Sequence, residues 1–194
     1  MRFPPLAALT TLLGAIILAG CCANDTCDCQ DELEDAIRLQ FKTPIGDDLT
    51  GFSKEELDTI RVLRTRLPSP ATPANTKFPS DTVVIIRPTV RADGPIYIAN
   101  NTPFAISGTL RINAYKYTVL VPQNRRKKFR VYQSYKLKDI QLRGGYEPDG
   151  CCTCYRNTER RATLTYTPIG ARASDSVSTS YDRNVDKEIL LPRK

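Results

Sequence analysis

The chain has 194 residues, with 28 Lys and Arg against 21 Asp and Glu, a formal net charge of +7, seven cysteines, nine tyrosines, and neither histidine nor tryptophan. Without histidine, Ser-His-Asp and Cys-His catalysis are excluded, and the commonest metal ligand near neutral pH is missing. The charge is unevenly spread: residues 21–60 hold eleven acids against Arg38, Lys42 and Lys54, a balance of −8, whereas residues 61–194 hold ten acids against 24 bases, a balance of +14.

The opening "MRFPPLAALTTLLGAIILAGCC" carries Arg2, then an apolar run from Leu6 to Leu18, then small residues and a cysteine. An apolar core of 13 residues is too short to cross a bilayer as a helix and predicts a secretory signal peptide over residues 1–20. The junction "LAGC", Leu18 to Cys21, resembles the lipobox of bacterial lipoproteins. That resemblance implies that Cys21 is diacylated on sulfur, becomes the first residue after cleavage, and is then acylated on its amine. Fatty chains such as palmitate anchor through about 0.8 kcal/mol per buried methylene, so two or three hold a protein on a bilayer. The acids that follow, Asp25, Asp28, Asp31 and Glu32, resemble the export signal of surface lipoproteins in the Bacteroidota. The tripeptides "DTI" at Asp58, "DTV" at Asp81 and "DSV" at Asp175 resemble that phylum's O-glycosylation sequon, although Asp-Thr at a strand entry is an equally ordinary explanation. The expected location is the cell envelope, as an outer membrane lipoprotein facing the periplasm or exposed at the surface.

Residues 21–35 read as an acidic, Cys-rich tether that can form a short helical turn through "DELEDAIRL", and residues 36–194 as one domain. Strands are predicted in "IRLQFKT", "LDTIRVLRT", "DTVVIIRPTV", "GPIYIAN", "ISGTLRINAYKYTVLV", "FRVYQSYKLKDIQL", "RATLTYTPI" and "KEILL", all rich in Val, Ile, Thr and Tyr and bounded by turn residues. Ser53 and Glu56 stand at capping-box spacing, which a single turn before the second strand satisfies. The four prolines of "RLPSPATPANTKFPSD" predict an exposed connection. The run "VVII", Val83 to Ile86, has no polar face and is expected inside, covered on both sides.

The central hairpin pairs "RINAYKYTVLV" with "FRVYQSYKLKDIQL", with Phe129, Val131, Tyr135 and Leu137 in phase on one face. The apolar phase switches between Ala114 and Tyr115, where a bulge or corner is expected. Its tip, "RRKKFR", places Arg125, Arg126, Lys127, Lys128 and Arg130 near Tyr115, Tyr117, Tyr132 and Tyr135 on the arms. Such a tip is a candidate site for lipopolysaccharide phosphates or an anionic glycan; it equally serves as edge protection, or rests against the acidic tether. No nucleic acid is expected as a partner.

With Cys21 committed to lipid, Cys22, Cys27, Cys29, Cys151, Cys152 and Cys154 remain. An even count in an exported chain is the signature of disulfides. Residues two apart in an extended chain share a face, so Cys27 with Cys29, and Cys152 with Cys154, can lie side by side as two adjacent bridges and leave Cys22 for Cys151. The first bridge closes a loop of more than 100 residues and contributes roughly 4–5 kcal/mol on the chain-entropy model. The competing reading is a thiolate metal site for copper or zinc, although zinc more naturally takes Cys-x-x-Cys. A redox pair would also show Cys-x-x-Cys, at a helix start.

Two positioned carboxylates are not evident, since Asp47 and Asp48 sit in the turn-like "IGDDLTG", and "RGGYEPDG" lacks the lysine and helix of a phosphate loop. The chain is therefore expected to be an all-β, immunoglobulin-like antiparallel β-sandwich with a disulfide-stapled N-terminal tether. In overall plan it resembles small Bacteroidota lipoproteins with immunoglobulin-like domains. With no catalytic motif in the chain, the expected function is a non-enzymatic binding or structural module without a cofactor or metal, with the lipid bilayer and an envelope protein or anionic glycan as partners; the alternative is a thiolate metal-binding protein.

Overall fold

The computed structural model describes residues 26–29, 31–44, 50–73, 75–105, 108–122, 131–167, 177–182 and 188–193. Residues 1–25, with Cys21 and Cys22, as well as Asp47, Asp48, Asp175 and the basic tip at residues 123–130, lie outside the described residues.

The described chain is all-β apart from short turns. After one helical turn, α1 (Asp31–Glu34), come β1 (Ile37–Phe41), β2 (Thr59–Arg66), β3 (Ser80–Ile86), β4 (Ile96–Ile98), β5 (Tyr115–Pro122), β6 (Val131–Asp149), β7 (Cys152–Tyr166), β8 (Val177–Asp182) and β9 (Ile189–Leu191). They form a three-stranded sheet, β4-β1-β9, and a six-stranded sheet, β3-β2-β5-β6-β7-β8, packed as a sandwich. Every pairing is antiparallel except β1 with β9, which is parallel.

Alternation decides which face goes inward. In β1, Ile37, Leu39 and Phe41 are buried while Arg38 and Gln40 turn away, and β4 and β9 likewise bury Ile96, Ile98, Ile189 and Leu191. From the large sheet, Ile60, Val62, Tyr117, Val119, Tyr135, Leu137 and Leu164 complete one continuous core. Phe41 meets Phe52 edge-on at 5.7 Å and Tyr135 at 6.4 Å between ring centroids. Tyr135, fully buried in the large sheet, donates its hydroxyl proton to the carbonyl of Pro192 just after β9, so one polar bond crosses between the layers. Arg64 occupies the next core-facing position after Val62. Its guanidinium lies between the rings of Phe104 and Tyr115, at 4.5 and 4.7 Å, and donates to Asp81 and to the carbonyl of Ala105. The aromatic faces and carboxylate offset the loss of water around that cation.

Several expectations need correction. The run Val83–Ile86 is not covered on both sides, because β3 is an edge strand; Val83 and Ile85 pack on the core, but Val84 and Ile86 are 47% and 78% exposed. Four aliphatic residues in a row read as a central strand by composition, and only their position in the sheet decides otherwise. Tyr115, Tyr117 and Tyr135 are buried in the core rather than arrayed on the hairpin arms for a ligand. The phase switch after Ala114 is a 3-10 turn at Ile112–Ala114 that ends where β5 begins. β8 lies outside every predicted strand, because its serines and aspartate outweigh the weak alternation of Val177, Thr179 and Tyr181. Other expectations hold: α1 is the single turn foreseen in the tether, and Ser53 donates its amide to Glu56 at 2.9 Å without a helix following.

Truncating Phe41 to Ala should cost about 3–5 kcal/mol in a urea titration, the range for an aromatic removed from a packed core. Tyr135→Phe keeps the ring but leaves the Pro192 carbonyl without its donor, and should cost about 1–2 kcal/mol in the same measurement.

Candidate functional site: the fastened tether and the hairpin arm

β6 and β7 run on together well past the sandwich as a two-stranded arm. The register steps twice, between Lys138 and Gln141 and between Arg143 and Gly144, and Asp139 at the first step takes a left-handed φ of 53°. Such bulges re-aim a strand pair. Gly144 at the second step has no room for a side chain: a Cβ there would lie 2.4 Å from the carbonyl oxygen of Arg156 and 2.6 Å from the hydroxyl of Tyr155. The arm closes through Asp149 and Cys152 around Gly150 and Cys151, with Gly150 at φ +61° as the first residue of a two-residue turn requires.

Among the described residues, β8 pairs with β7 only from Arg161 to Tyr166. The remaining edge of β7, from Cys152 to Arg160, is lined by the tether instead. Cys27 is bonded to Cys152 and Cys29 to Cys154, with Cα separations of 5.5 and 5.3 Å. Cys151 is disulfide-bonded as well, and Cys22, its expected partner, lies outside the described residues. Further along, the Asn157 amide donates to the Glu34 carboxylate at 3.0 Å and its side chain to the Glu34 carbonyl at 2.6 Å. Arg160 donates to the carbonyls of Glu34 and Ala36, and Arg156 pairs with Glu34 at 3.5 Å. One backbone donor of that edge, the Asn157 amide, is thereby met by the tether, and side chains of β7 satisfy the Glu34 carbonyl of the tether in return.

Asp35 is the centre of this contact. It is 1% exposed, and its two oxygens accept four bonds: Arg111 at 2.7 and 2.5 Å, Asn100 at 2.7 Å and Asn157 at 2.6 Å. Asn100 is oriented in turn by the amide of Ile112 at 3.0 Å, and the Arg111 guanidinium lies over the Tyr155 ring at 4.6 Å. Burial pushes the Asp35 carboxyl up, but the bonds from Arg111, Asn100 and Asn157 outweigh it and hold the group below the ordinary aspartate range. The bond to Asp35 raises the pKa of Arg111 above its ordinary value despite partial desolvation. A buried carboxylate whose two oxygens already accept four bonds is built to hold segments of the chain together.

Of the residues singled out by sequence, the structure brings together the two Cys-x-Cys units, which bridge each other rather than gathering four thiolates around an ion. Among the described residues no group of three or more Cys, Asp or Glu stands close enough to hold a metal ion. No helix of the described residues is long and apolar enough to cross a membrane. The Asp35 cluster had no sequence signal: its members stand 65 to 122 positions apart.

Two expectations follow. The two bridges close nearly the same loop, each spanning 125 residues, so replacing one pair by serine should cost well under the roughly 4–5 kcal/mol that full reduction removes, read as urea midpoints with and without reductant. Because the folded-state pKa of Asp35 is depressed, its contribution is complete above the unfolded value of about 3.9 and is lost as pH falls through the lower folded value. Asp35→Asn should therefore lower stability near neutral pH by about 2–4 kcal/mol and flatten the acid limb of a pH series of melts. The chain matches no protein-family model, no curated protein and no solved structure, so no relative assigns a role to any of these residues.

Proposed function

We propose that this protein is a lipid-anchored lipoprotein of the cell envelope, held in the outer membrane through acylated Cys21, whose β-sandwich serves as a non-enzymatic binding or structural module. The observation that carries the reading is the fastening of the tether to the hairpin arm. A lipoprotein must connect an acylated N-terminus to its domain, and a flexible linker would let that domain wander. Here the chain is covalently fixed to the domain at Cys27, six residues after the lipobox cysteine, a span of about 20 Å at full extension. Such an arrangement keeps the arm close to the bilayer and sets the orientation of the sandwich. Two disulfides that join distant segments of the chain also fit an exported protein in an oxidising compartment.

The absence of histidine from the sequence, and a buried carboxylate saturated with donors, support a module that binds or supports rather than one that turns over substrate. Arg125, Arg126, Lys127, Lys128 and Arg130 remain the proposed contact for an envelope protein or anionic glycan. The thiolate-metal alternative requires reduced cysteines, and is tested in the same preparation.

The N-terminal peptide of protein purified from its native membrane should begin at Cys21 and carry the mass of a diacylglyceryl group plus an amide-linked acyl chain. An unmodified peptide, or one starting elsewhere, would overturn the anchor. Thiol counting on that sample should find the six remaining cysteines blocked and no copper or zinc; free thiols with bound metal would replace the module by a metal carrier.

A further inference from the structure

The strand registers define an outer face of the six-stranded sheet that the disulfide-fastened tether leaves alone. Residues alternating with the core-facing Ile60, Val62, Tyr117, Val119, Tyr135 and Leu137 stand on it. In one cross-strand row, Val84 neighbours Arg61, which neighbours Leu120. In the following rows, Lys136 stands between Thr118 and Thr165, Lys116 beside Thr65 and Lys138 beside Thr163. Lys116, Lys136 and Lys138 are all exposed.

Carboxylates are nearly missing from this surface among the described residues. Glu159 and Asp182 lie at its far end, and both are held 3.1 Å from Arg161; Asp139 stands 3.6 Å from Lys138. Among the described residues the face is therefore positive around Lys116 and Lys136, the property that draws an anionic partner. The same face carries exposed aliphatic side chains, Val84 and the still more exposed Ile86, with Val90, 77% exposed, just beyond the strand. By contrast, Tyr115, Tyr117, Tyr135 and Tyr166 are buried in the core.

We infer that the outer face of the six-stranded sheet is a docking surface for an anionic lipid bilayer. Its lysines meet headgroup phosphates, while Val84, Ile86 and Val90 enter the boundary between headgroups and acyl chains. A basic sheet face with exposed aliphatic residues at one border presents both contacts that this boundary takes, cations for headgroups and apolar side chains for acyl chains. Cation and aliphatic contacts act together, so the contact weakens with salt but is not abolished by it. The inference goes beyond the acyl anchor and concerns how the folded domain lies on the membrane.

The test is an amine-reactivity footprint of the purified full chain on vesicles containing phosphatidylglycerol and on vesicles of phosphatidylcholine alone. The reactivity of Lys116, Lys136 and Lys138 should fall by about fivefold or more on the anionic vesicles and recover in high salt. Lys54, which is paired with Asp93 at 3.1 Å in the loop between β1 and β2, should not change. A Lys116→Gln, Lys136→Gln, Lys138→Gln variant with an unchanged melting temperature should lose preferential association with the anionic vesicles, and the corresponding Arg variant should keep it. Equal lysine reactivity on the two vesicles would overturn the docking face, as would protection by a soluble anionic polysaccharide in place of the vesicles. The N-terminal peptide mass reports separately on acylation, so failure of the anchor and failure of the docking face give different results.

Discussion

The structure hangs on a single buried carboxylate. Asp35 sits at the point where the tether stops following the β6–β7 arm and enters β1, the central strand of the small sheet. Its four bonds draw in Asn100 from beyond β4, Arg111 from the approach to β5, and Asn157 from β7, so elements of both sheets are referred to one group. An ionised carboxylate out of water is tolerable only when every lone pair is met, and here all of them are. Moving any one of the three donors would leave charge uncompensated in the interior, so the crossing point of the chain is narrowly fixed. The disulfides upstream restrict the alternatives further, since a tether joined at Cys152 and Cys154 can reach β1 only along the open edge of β7.

From that point the order of strands follows from edges. β7 is long because it serves two neighbours in succession, β8 over Arg161–Tyr166 and the tether over Cys152–Arg160. The register step at Gly144 lets the ring of Tyr155 lie against the opposing strand, where Arg111 covers it. β1, once placed, takes β4 on one side and β9 on the other, and β9 brings Pro192 to the hydroxyl of Tyr135. The polar bond between layers thus depends on a strand whose own position depends on Asp35.

The sandwich was legible in the sequence where burial and composition agree. The alternation in "IRLQF", "TIRVLRT" and "YKYTVLV" matches the buried positions of β1, β2 and β5, because a strand covered on one face writes its period of two directly into the chain. β3 and β8 depart from this correspondence for opposite reasons. β3 has a core strand's residues at a sheet edge, and β8 has a loop's residues in a strand, since an edge strand needs only backbone pairing on one side. The cysteine units were legible because two sulfurs on one face must meet two others. The Asp35 cluster was not: an aspartate in an acidic run reads as solvated, and an arginine between Leu110 and Ile112 reads as the polar side of a strand. Only the fold brings those residues together.

The segregation of charge acquires a physical meaning from this geometry. Acids of the tether, Glu34 and Asp35, are engaged by Arg156, Asn157 and Arg111, so part of the acidic segment neutralises one edge of the basic domain. Neutralisation is local, because screening confines it to roughly a Debye length of 8–10 Å at ordinary ionic strength. The lysines of the outer sheet face lie on strands the tether does not touch, and their charge stays uncompensated by it. Because bridges and a buried ion pair hold Glu34 and Asp35 at the edge of β7, these acids cannot swing across to neutralise the lysines of the outer face.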